Sequence, residues 1–118
     1  MINKNSKIFV AGHNEMVGSA IMRKLREDGY KNLITVEKKK LDLTDQKDVL
    51  NFFKKKKPEF VFLAAAKVGG ILSNQKNKAE FIRINLYIQT NVIHSAYLSG
   101  VKNLIFLGSS CVYPRDCK

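Results

Sequence analysis

KIFVAGHNEMVGSA, at residues 7–20, is the stretch of sequence that decides the fold. Residues 7–11 are apolar and β-branched enough to form a buried strand, and Gly12 interrupts them. Apolar residues then recur at helical spacing from Val17 to Leu25. Strand, glycine turn and helix in this order predict the start of a βαβ unit, in which the strands lie parallel.

The rest of the chain repeats this alternation of strand and helix. Thr44 or Asp45 caps a second helix, which stops before Pro58. The remaining elements are three strands, at residues 33–36, 59–63 and 103–107, and a long helix at residues 78–98. The order βαβαβαβ predicts an α/β fold, namely an incomplete Rossmann-type doubly wound parallel sheet. Such sheets bind ligands beyond the carboxyl ends of their strands.

Length and composition restrict the class of protein. The 118 residues suffice for one domain, since a domain core takes about 100 to 150 residues. We therefore assign residues 1–118 to the N-terminal part of a single Rossmann domain. No apolar run approaches the roughly 20 residues that cross a bilayer, and the N-terminus lacks the apolar core of a signal peptide. We expect a cytoplasmic protein without a membrane segment and, with only Cys111 and Cys117 as thiols, without a metal site.

The chain is strongly basic, with 21 Lys and Arg against 10 Asp and Glu and a net charge of +11. Such an excess favours anionic partners such as phosphates or nucleotides. The lysines cluster at residues 38–40 and 54–57. Cations complement the carboxyl end of a helix dipole, so the second cluster favours a solvated helix end over a nucleic-acid surface.

Gly12, Glu15 and Gly18 occupy the three marker positions of a GxxGxxG phosphate loop. The first glycine permits the tight turn and the last permits helix and strand to pack closely. Glu15 stands where a glycine would let the backbone approach a pyrophosphate. Its carboxylate either competes with the phosphate at the helix N-terminus or turns to solvent, and the sequence leaves both readings open.

The end of the second predicted strand indicates which dinucleotide binds. An acid there, such as Glu37, would accept a hydrogen bond from the ribose 2′-hydroxyl of NAD, whereas a base would receive the 2′-phosphate of NADP. Lysines follow at residues 38–40, which favours NADP(H). Asp42 and Leu43 either frame the adenine or, for Asp42, cap local backbone amides.

Several motifs resemble the GDP-L-fucose synthase family, a group of extended short-chain dehydrogenases within the NAD-dependent epimerases and dehydratases. They are AGHNEMVGSA (11–20), KNLITVEKKKLDLTD (31–45), FVFLAAAKVGGI (60–71), the helix with Asn85 and Asn91, and LGSSCVYP (107–114). The resemblance implies an enzyme that epimerises GDP-4-keto-6-deoxy-D-mannose at two carbons and reduces its ketone with NADPH, giving GDP-L-fucose.

The resemblance also implies roles for individual residues. Ser109 would hydrogen-bond the reacting ketone oxygen, and Cys111 would return a proton to the carbanion beside it, which a thiol of reference pKa about 8.5 can do. Lys38 would meet the 2′-phosphate. The cofactor positions indicated by the motifs and the resemblance are Gly12, His13, Asn14, Met16, Val17, Gly18, Lys38, Asp42, Leu43, Ala64, Ala65, Leu107, Gly108 and Ser110.

The chain departs from the family pattern at two places. The family loop reads GHRG, so Asn14 and Glu15 replace an arginine and a glycine beside the pyrophosphate. The Tyr-x-x-x-Lys pair of short-chain dehydrogenases does not occur in the sequence. The resemblance places that pair, a second epimerisation acid and the substrate domain beyond Lys118, so we expect these 118 residues to be inactive alone. We also expect a GDP-sugar as substrate and a homodimer formed through long helices such as residues 78–98.

Two alternatives stay open from the sequence. One is another nucleotide-sugar epimerase or dehydratase, against which Cys111 argues because simple 4-epimerases do not need that thiol. The other is a non-catalytic, basic nucleotide-binding or interaction module that uses its charge or an open sheet edge. His13 and His94 are not candidate bases, since one lies in the phosphate loop and the other on the long helix.

Overall fold

The computed structural model describes residues 2–109 and residue 116. This part of the chain contains four strands and four helices, with two helices in succession between the third and fourth strands. They are β1 (Ile8–Ala11), α1 (Met16–Glu27), β2 (Leu33–Ile34), α2 (Gln46–Lys56), β3 (Phe60–Leu63), α3 (Ile71–Lys76), α4 (Lys78–Leu98) and β4 (Asn103–Phe106).

The strands form one parallel sheet in the order β2-β1-β3-β4. All four of the strands run in the same direction, with Phe9 opposite both Ile34 and Val61. The chain moves outward from β1 to β2 and then returns to the other side of β1 as β3, so the switch point lies between β1 and β3. Ligands of doubly wound sheets bind beyond the carboxyl ends of the strands at this point. The predicted α/β fold is confirmed.

Both faces of the sheet carry apolar clusters because successive side chains of a strand point to opposite sides. Phe9 belongs to the larger cluster, between the sheet and helices α2 and α4, where its ring meets the Phe53 ring edge-on at 5.7 Å. Ile8 and Val10 belong to the smaller cluster, against α1. This two-sided burial explains why β1 is apolar at every position, as expected for a parallel sheet.

The helix ends follow the predicted signals. Asp45 caps α2, where its side chain accepts a 2.9 Å hydrogen bond from the backbone N–H of Asp48. The lysines of the last turn of α2 lie at the negative end of its dipole. Gly100, which follows α4, has a φ of +73°, a conformation that glycine adopts without steric cost.

Two elements differ from the prediction. The second strand was predicted over residues 33–36, but β2 contains only Leu33 and Ile34, after which Val36 packs into the larger cluster instead of continuing the ladder with β1. Helix α3 was not predicted, because six residues are too few for hydrophobic periodicity to be recognised.

Several large apolar side chains are exposed on α4 and β4. Tyr97 of α4 is 79% exposed, and Ile105 of β4 is 50% exposed. Strand β4 forms one edge of the sheet that the structure describes. Among the described helices, none has the length and apolarity that crossing a bilayer requires.

Candidate functional site

The loop between β1 and α1 needs glycine at both ends. Gly12 has a φ of +85°, and a Cβ there would lie 2.7 Å from the backbone nitrogen of Ala65. A Cβ on Gly18 would overlap the carbonyl oxygen of Gly12. The first glycine therefore lets the loop lie against the chain after β3, and the second lets α1 pack against the loop.

The N-terminus of α1 presents backbone amides at the carboxyl edge of the sheet. The first N–H groups of a helix have no partner within it and carry the positive end of its dipole. Glu15 precedes the helix, and its exposed side chain makes no hydrogen bond to these amides. In this structure the carboxylate therefore does not occupy the place of a phosphate at the helix end.

A cavity of about 360 Å³ lies beside this loop, between the ends of β1 and β3, the segment after β2 and helix α4. Its walls combine apolar side chains with charged ones. The predicted cofactor residues that line it are Gly12, His13, Asn14, Lys38, Asp42, Leu43 and Ala65.

A second cavity, of about 340 Å³, opens between the ends of β3 and β4. The predicted residues Ala64, Leu107 and Ser109 line it. Residues 65–67 line both cavities, so the two are neighbours along one edge of the sheet. The fold thus brings the phosphate loop and Ser109 to the same edge, as the doubly wound topology predicts.

The other predicted residues are not brought together in this way. Among them, Met16 is 84% exposed on the first turn of α1, and Gly18 is buried beneath the loop. Neither cavity is lined by Met16, Val17, Gly18 or Gly108. Ser110 and Cys111 lie outside the described residues.

The two charged residues after β2 have different environments. Lys38 lines the first cavity. Glu37 instead contacts the phosphate loop, where its two carboxylate oxygens accept long hydrogen bonds of 3.4 and 3.3 Å from Nδ2 of Asn14. The Nε2 atom of His13 lies 3.6 Å from the same carboxylate.

Asp42 binds its own loop. Its carboxylate accepts hydrogen bonds from the backbone N–H of Thr44, at 2.9 Å, and from the Thr44 hydroxyl, at 2.8 Å. These two bonds, helped by the positive charge of Lys38, lower the pKa of Asp42 below its usual value. The side chain therefore adopts the local capping role that the sequence left open, while it still lines the cavity.

Two asparagines of α4 hold the loops that carry the site. The side chain of Asn85 accepts a 2.7 Å hydrogen bond from the backbone N–H of Lys67 and donates a 3.0 Å bond to its carbonyl oxygen. Nδ2 of Asn91 donates a 3.0 Å bond to the carbonyl oxygen of Leu43. Both asparagines belong to a motif of the resemblance, but their role depends on contacts that sequence spacing does not reveal.

Sequence reasoning missed two cations of the first cavity, Lys67 and Arg83. Lys67 forms an ion pair with Glu80, with 2.5 Å between Nζ and Oε1, which lowers the pKa of Glu80. Arg83 lies over the ring of Tyr87, 5.6 Å from its centre, and forms no ion pair with the described residues. A lone arginine in a helix carries no sequence signal that separates it from an ordinary surface residue.

Comparison with known proteins identifies the family. The sequence profile of the NAD dependent epimerase/dehydratase family matches residues 8–118. The chain belongs to the NAD-dependent epimerase/dehydratase family. This confirms the family that the motifs indicated.

Relatives within the NAD-dependent epimerase/dehydratase family are much longer. GDP-L-fucose synthase 1 of Arabidopsis thaliana is 61% identical over 115 residues, which cover 98% of this chain and 36% of that protein. The chain thus spans about a third of the length of the curated relatives that it matches.

Two solved structures have the same architecture over the whole chain. A GDP-D-glycero-L-gluco-heptose synthase from Campylobacter jejuni, determined in the presence of NADPH, has a TM-score of 0.95 at 43% identity and is covered over 34% of its length. A GDP-L-fucose synthetase from Naegleria fowleri bound to NADP has a TM-score of 0.86 at 28% identity and is covered over 38%. Both comparisons cover 100% of this chain.

Proposed function

We propose that these 118 residues are the N-terminal, nucleotide-binding part of an enzyme that converts GDP-4-keto-6-deoxy-D-mannose to GDP-L-fucose with NADPH. The observation that carries the proposal is the pair of adjoining cavities, which places the phosphate loop and Ser109 along one edge of the sheet. The 61% identity to a GDP-L-fucose synthase supports the choice of substrate.

The first cavity would receive NADP(H). Backbone amides of the loop after Gly12 and of the first turn of α1, including Met16 and Val17, would hold the pyrophosphate at the positive end of the helix dipole. Lys38 would receive the 2′-phosphate, and Leu43 would pack against the adenine. The described residues offer two further cations there, Lys67, which is paired with Glu80, and Arg83. Arg83 would partly compensate for the arginine missing from the loop.

The backbone after β3 and β4 would approach the remainder of the cofactor. Ala64 and Ala65 carry small side chains that leave room for it. Leu107, Gly108 and Ser110 would lie beside this part of the cofactor. Bound NADPH would supply the hydride for reduction of the ketone, while this chain's residues would bind and orient the reactants.

Ser109 would donate a hydrogen bond from its hydroxyl to the ketone oxygen of the sugar. This bond strengthens as negative charge develops on the oxygen when a neighbouring carbon loses its proton. The proton lost from the carbon would pass to solvent water. The Cys111 thiol would then give its own proton to that carbon, and the resulting thiolate would take up a proton from water. A thiol is mostly protonated near neutral pH and can still exchange its proton.

Titration and turnover experiments on a polypeptide of these 118 residues test the proposal. We expect NADPH to bind, with enhanced nicotinamide fluorescence, and the keto sugar to cause no NADPH oxidation because the Tyr-x-x-x-Lys pair does not occur in the sequence. Absence of NADPH binding would contradict the nucleotide-binding role. Keto-sugar-dependent oxidation by this polypeptide would contradict the expected inactivity.

The exposed apolar residues of α4 support a homodimer as the assembled state. Ile82, Leu86 and Tyr97 are 62%, 53% and 79% exposed. Burying such side chains between two copies would remove apolar area from water, worth roughly 25 cal/mol per Å². Analytical ultracentrifugation should show a dimer for the unmodified chain and a monomer for the Leu86→Lys variant. A concentration-independent monomer would contradict this assembly.

We place the protein in the cytoplasm, without a membrane or nucleic-acid partner.

A further inference from the structure

Two oppositely charged neighbours follow β2, and the structure separates them. Lys38 lines the first cavity, whereas Glu37 is not among its lining residues. Both carboxylate oxygens of Glu37 accept hydrogen bonds from Nδ2 of Asn14, at 3.4 and 3.3 Å. The acid therefore contacts the phosphate loop at the edge of the cavity, whereas the base lines the cavity itself.

Contacts with the phosphate loop, rather than burial, hold the acid in this position. The Glu37 side chain is 59% exposed, so surrounding packing leaves it free to choose other rotamers. The Asn14 amide, and the His13 ring whose Nε2 lies 3.6 Å away, are its polar contacts in the described part of the chain. Asn14 thus links the loop after β1 to the segment after β2, across 23 residues of sequence.

The position of this carboxylate matters for the choice of dinucleotide. A free carboxylate beside Lys38 would pair with its ammonium group and repel a 2′-phosphate, whereas it would accept a hydrogen bond from a 2′-hydroxyl. A carboxylate held against the loop keeps its charge but is less free to pair with Lys38, so it interferes less with a 2′-phosphate bound there. The Asn14 amide that holds Glu37 should therefore affect the affinity for NADPH more than the affinity for NADH.

We propose that Asn14 is a positioning residue that keeps the Glu37 carboxylate out of the nucleotide cavity and leaves Lys38 free to bind a 2′-phosphate. The inference rests on the proposed function, since it concerns how that site distinguishes NADPH from NADH. It gives Asn14, which stands in place of the family's arginine, a role in cofactor preference.

Dissociation constants for NADPH and NADH, measured by nicotinamide fluorescence with the 118-residue chain, test this inference. Asn14→Ala should reduce the preference for NADPH over NADH by about two- to fivefold, as expected for an exposed charge interaction. Glu37→Gln should keep the preference or raise it. The double variant Asn14→Ala/Glu37→Gln should show the same preference for NADPH as Glu37→Gln alone. The side chain at position 37 that Asn14 no longer holds is then an uncharged amide.

Asn32→Ala is the matched control. The Asn32 side chain donates a 2.6 Å hydrogen bond to the carbonyl oxygen of Asn5, away from both cavities, so its loss should not alter the preference. Asn14→Asp, which places a second carboxylate against Glu37, should reduce the preference at least as much as Asn14→Ala. Thermal unfolding of each variant verifies that it is folded.

The outcomes distinguish the two proposals. An unchanged NADPH-to-NADH ratio in Asn14→Ala, or an equal loss of both affinities, would overturn the role of Asn14 and leave nucleotide binding intact. The same reduction in the Glu37→Gln background would also overturn it, because the carboxylate would then not be involved. If the unmodified chain bound neither dinucleotide, the proposed function would fail together with this inference.

Discussion

Nδ2 of Asn91 in α4 donates a 3.0 Å hydrogen bond to the carbonyl oxygen of Leu43 in the loop after β2. Asn91 is only 6% exposed, and its side chain joins elements that are 48 residues apart. The bond gives the carbonyl of Leu43, a residue that lines the first cavity, a partner on α4. The helix therefore sets the position of the loop on which Asp42 and Leu43 lie.

Replacing Asn91 with Ala should destabilise the fold by about 1–3 kcal/mol, because the buried Asn91 side chain and its hydrogen bond to the part-buried carbonyl of Leu43 would be lost. Urea unfolding followed by circular dichroism measures this change. Asn51→Ala, at an exposed position of α2, is the control and should change the stability by less than about 0.5 kcal/mol. Equal effects of the two substitutions would contradict the role of the Asn91 bond.

Gly12→Ala should abolish NADPH binding and lower the stability. The added Cβ would lie 2.7 Å from the Ala65 nitrogen, and the φ of +85° adds strain of about 1–2 kcal/mol. Gly29→Ala is a matched control, since Gly29 has a φ of +79° with nothing within 4 Å of the added Cβ. Only Gly12→Ala should lose nucleotide binding. Normal NADPH affinity in Gly12→Ala would argue against close approach of the loop to the β3 end.

Removing the charge of Arg83 should weaken NADPH binding by about three- to tenfold, the net effect of about one ordinary hydrogen bond. Arg83 lines the first cavity, and none of the ion pairs in the described part of the chain includes it, although its charge contributes to lowering the pKa of Glu80. Arg83→Gln tests this by fluorescence titration at low and high salt, and the difference from the unmodified chain should shrink at high salt. Arg23→Gln, on the exposed surface of α1, should leave the affinity unchanged.

Asp42 should make the stability depend on pH in the acid range. Hydrogen bonds from Thr44 lower the pKa of Asp42 in the folded chain below the value of 3.8 expected when it is unfolded. Its contribution is therefore present above about pH 4 and is lost as the pH falls through the lower folded value. Between about pH 5 and about pH 2, Asp42→Asn should lose less of its free energy of unfolding than the unmodified chain does.

Thr44→Val refines this test, because it removes the hydroxyl bond and leaves the backbone amide bond to the Asp42 carboxylate. Its pH dependence should lie between that of the unmodified chain and that of Asp42→Asn. Identical pH profiles for all three proteins would show that Thr44 does not stabilise the ionised carboxyl.

The predictable part of the site consists of residues whose role is local. Gly12 and Gly18 were recognised because a tight turn between strand and helix demands glycine whatever surrounds it. Asp45 was one of two offered caps, and the structure selects it over Thr44, which donates its hydroxyl to Asp42 instead. Choosing between adjacent candidates requires knowing which partner the loop brings near.

The less predictable part depends on contacts between distant segments. Arg83 and Lys67 line the first cavity because α4 and the chain after β3 pass over the end of β1. The direction of Glu37 depends on Asn14, 23 residues earlier. No periodicity or local motif reports such pairs, since they arise only when the strands are aligned in the sheet.

By itself, the sequence determined the α/β class and the order of strands and helices, because these follow from local spacing of apolar residues, glycines and caps, while the resemblance of its motifs indicated the family. The tertiary structure alone decided the sheet order β2-β1-β3-β4, the joining of two cavities along one edge, and the different contacts of Glu37 and Lys38. The physical reason is that these features come from side chains and backbone groups far apart in the chain, whose positions are set by packing of α2 and α4 against the sheet.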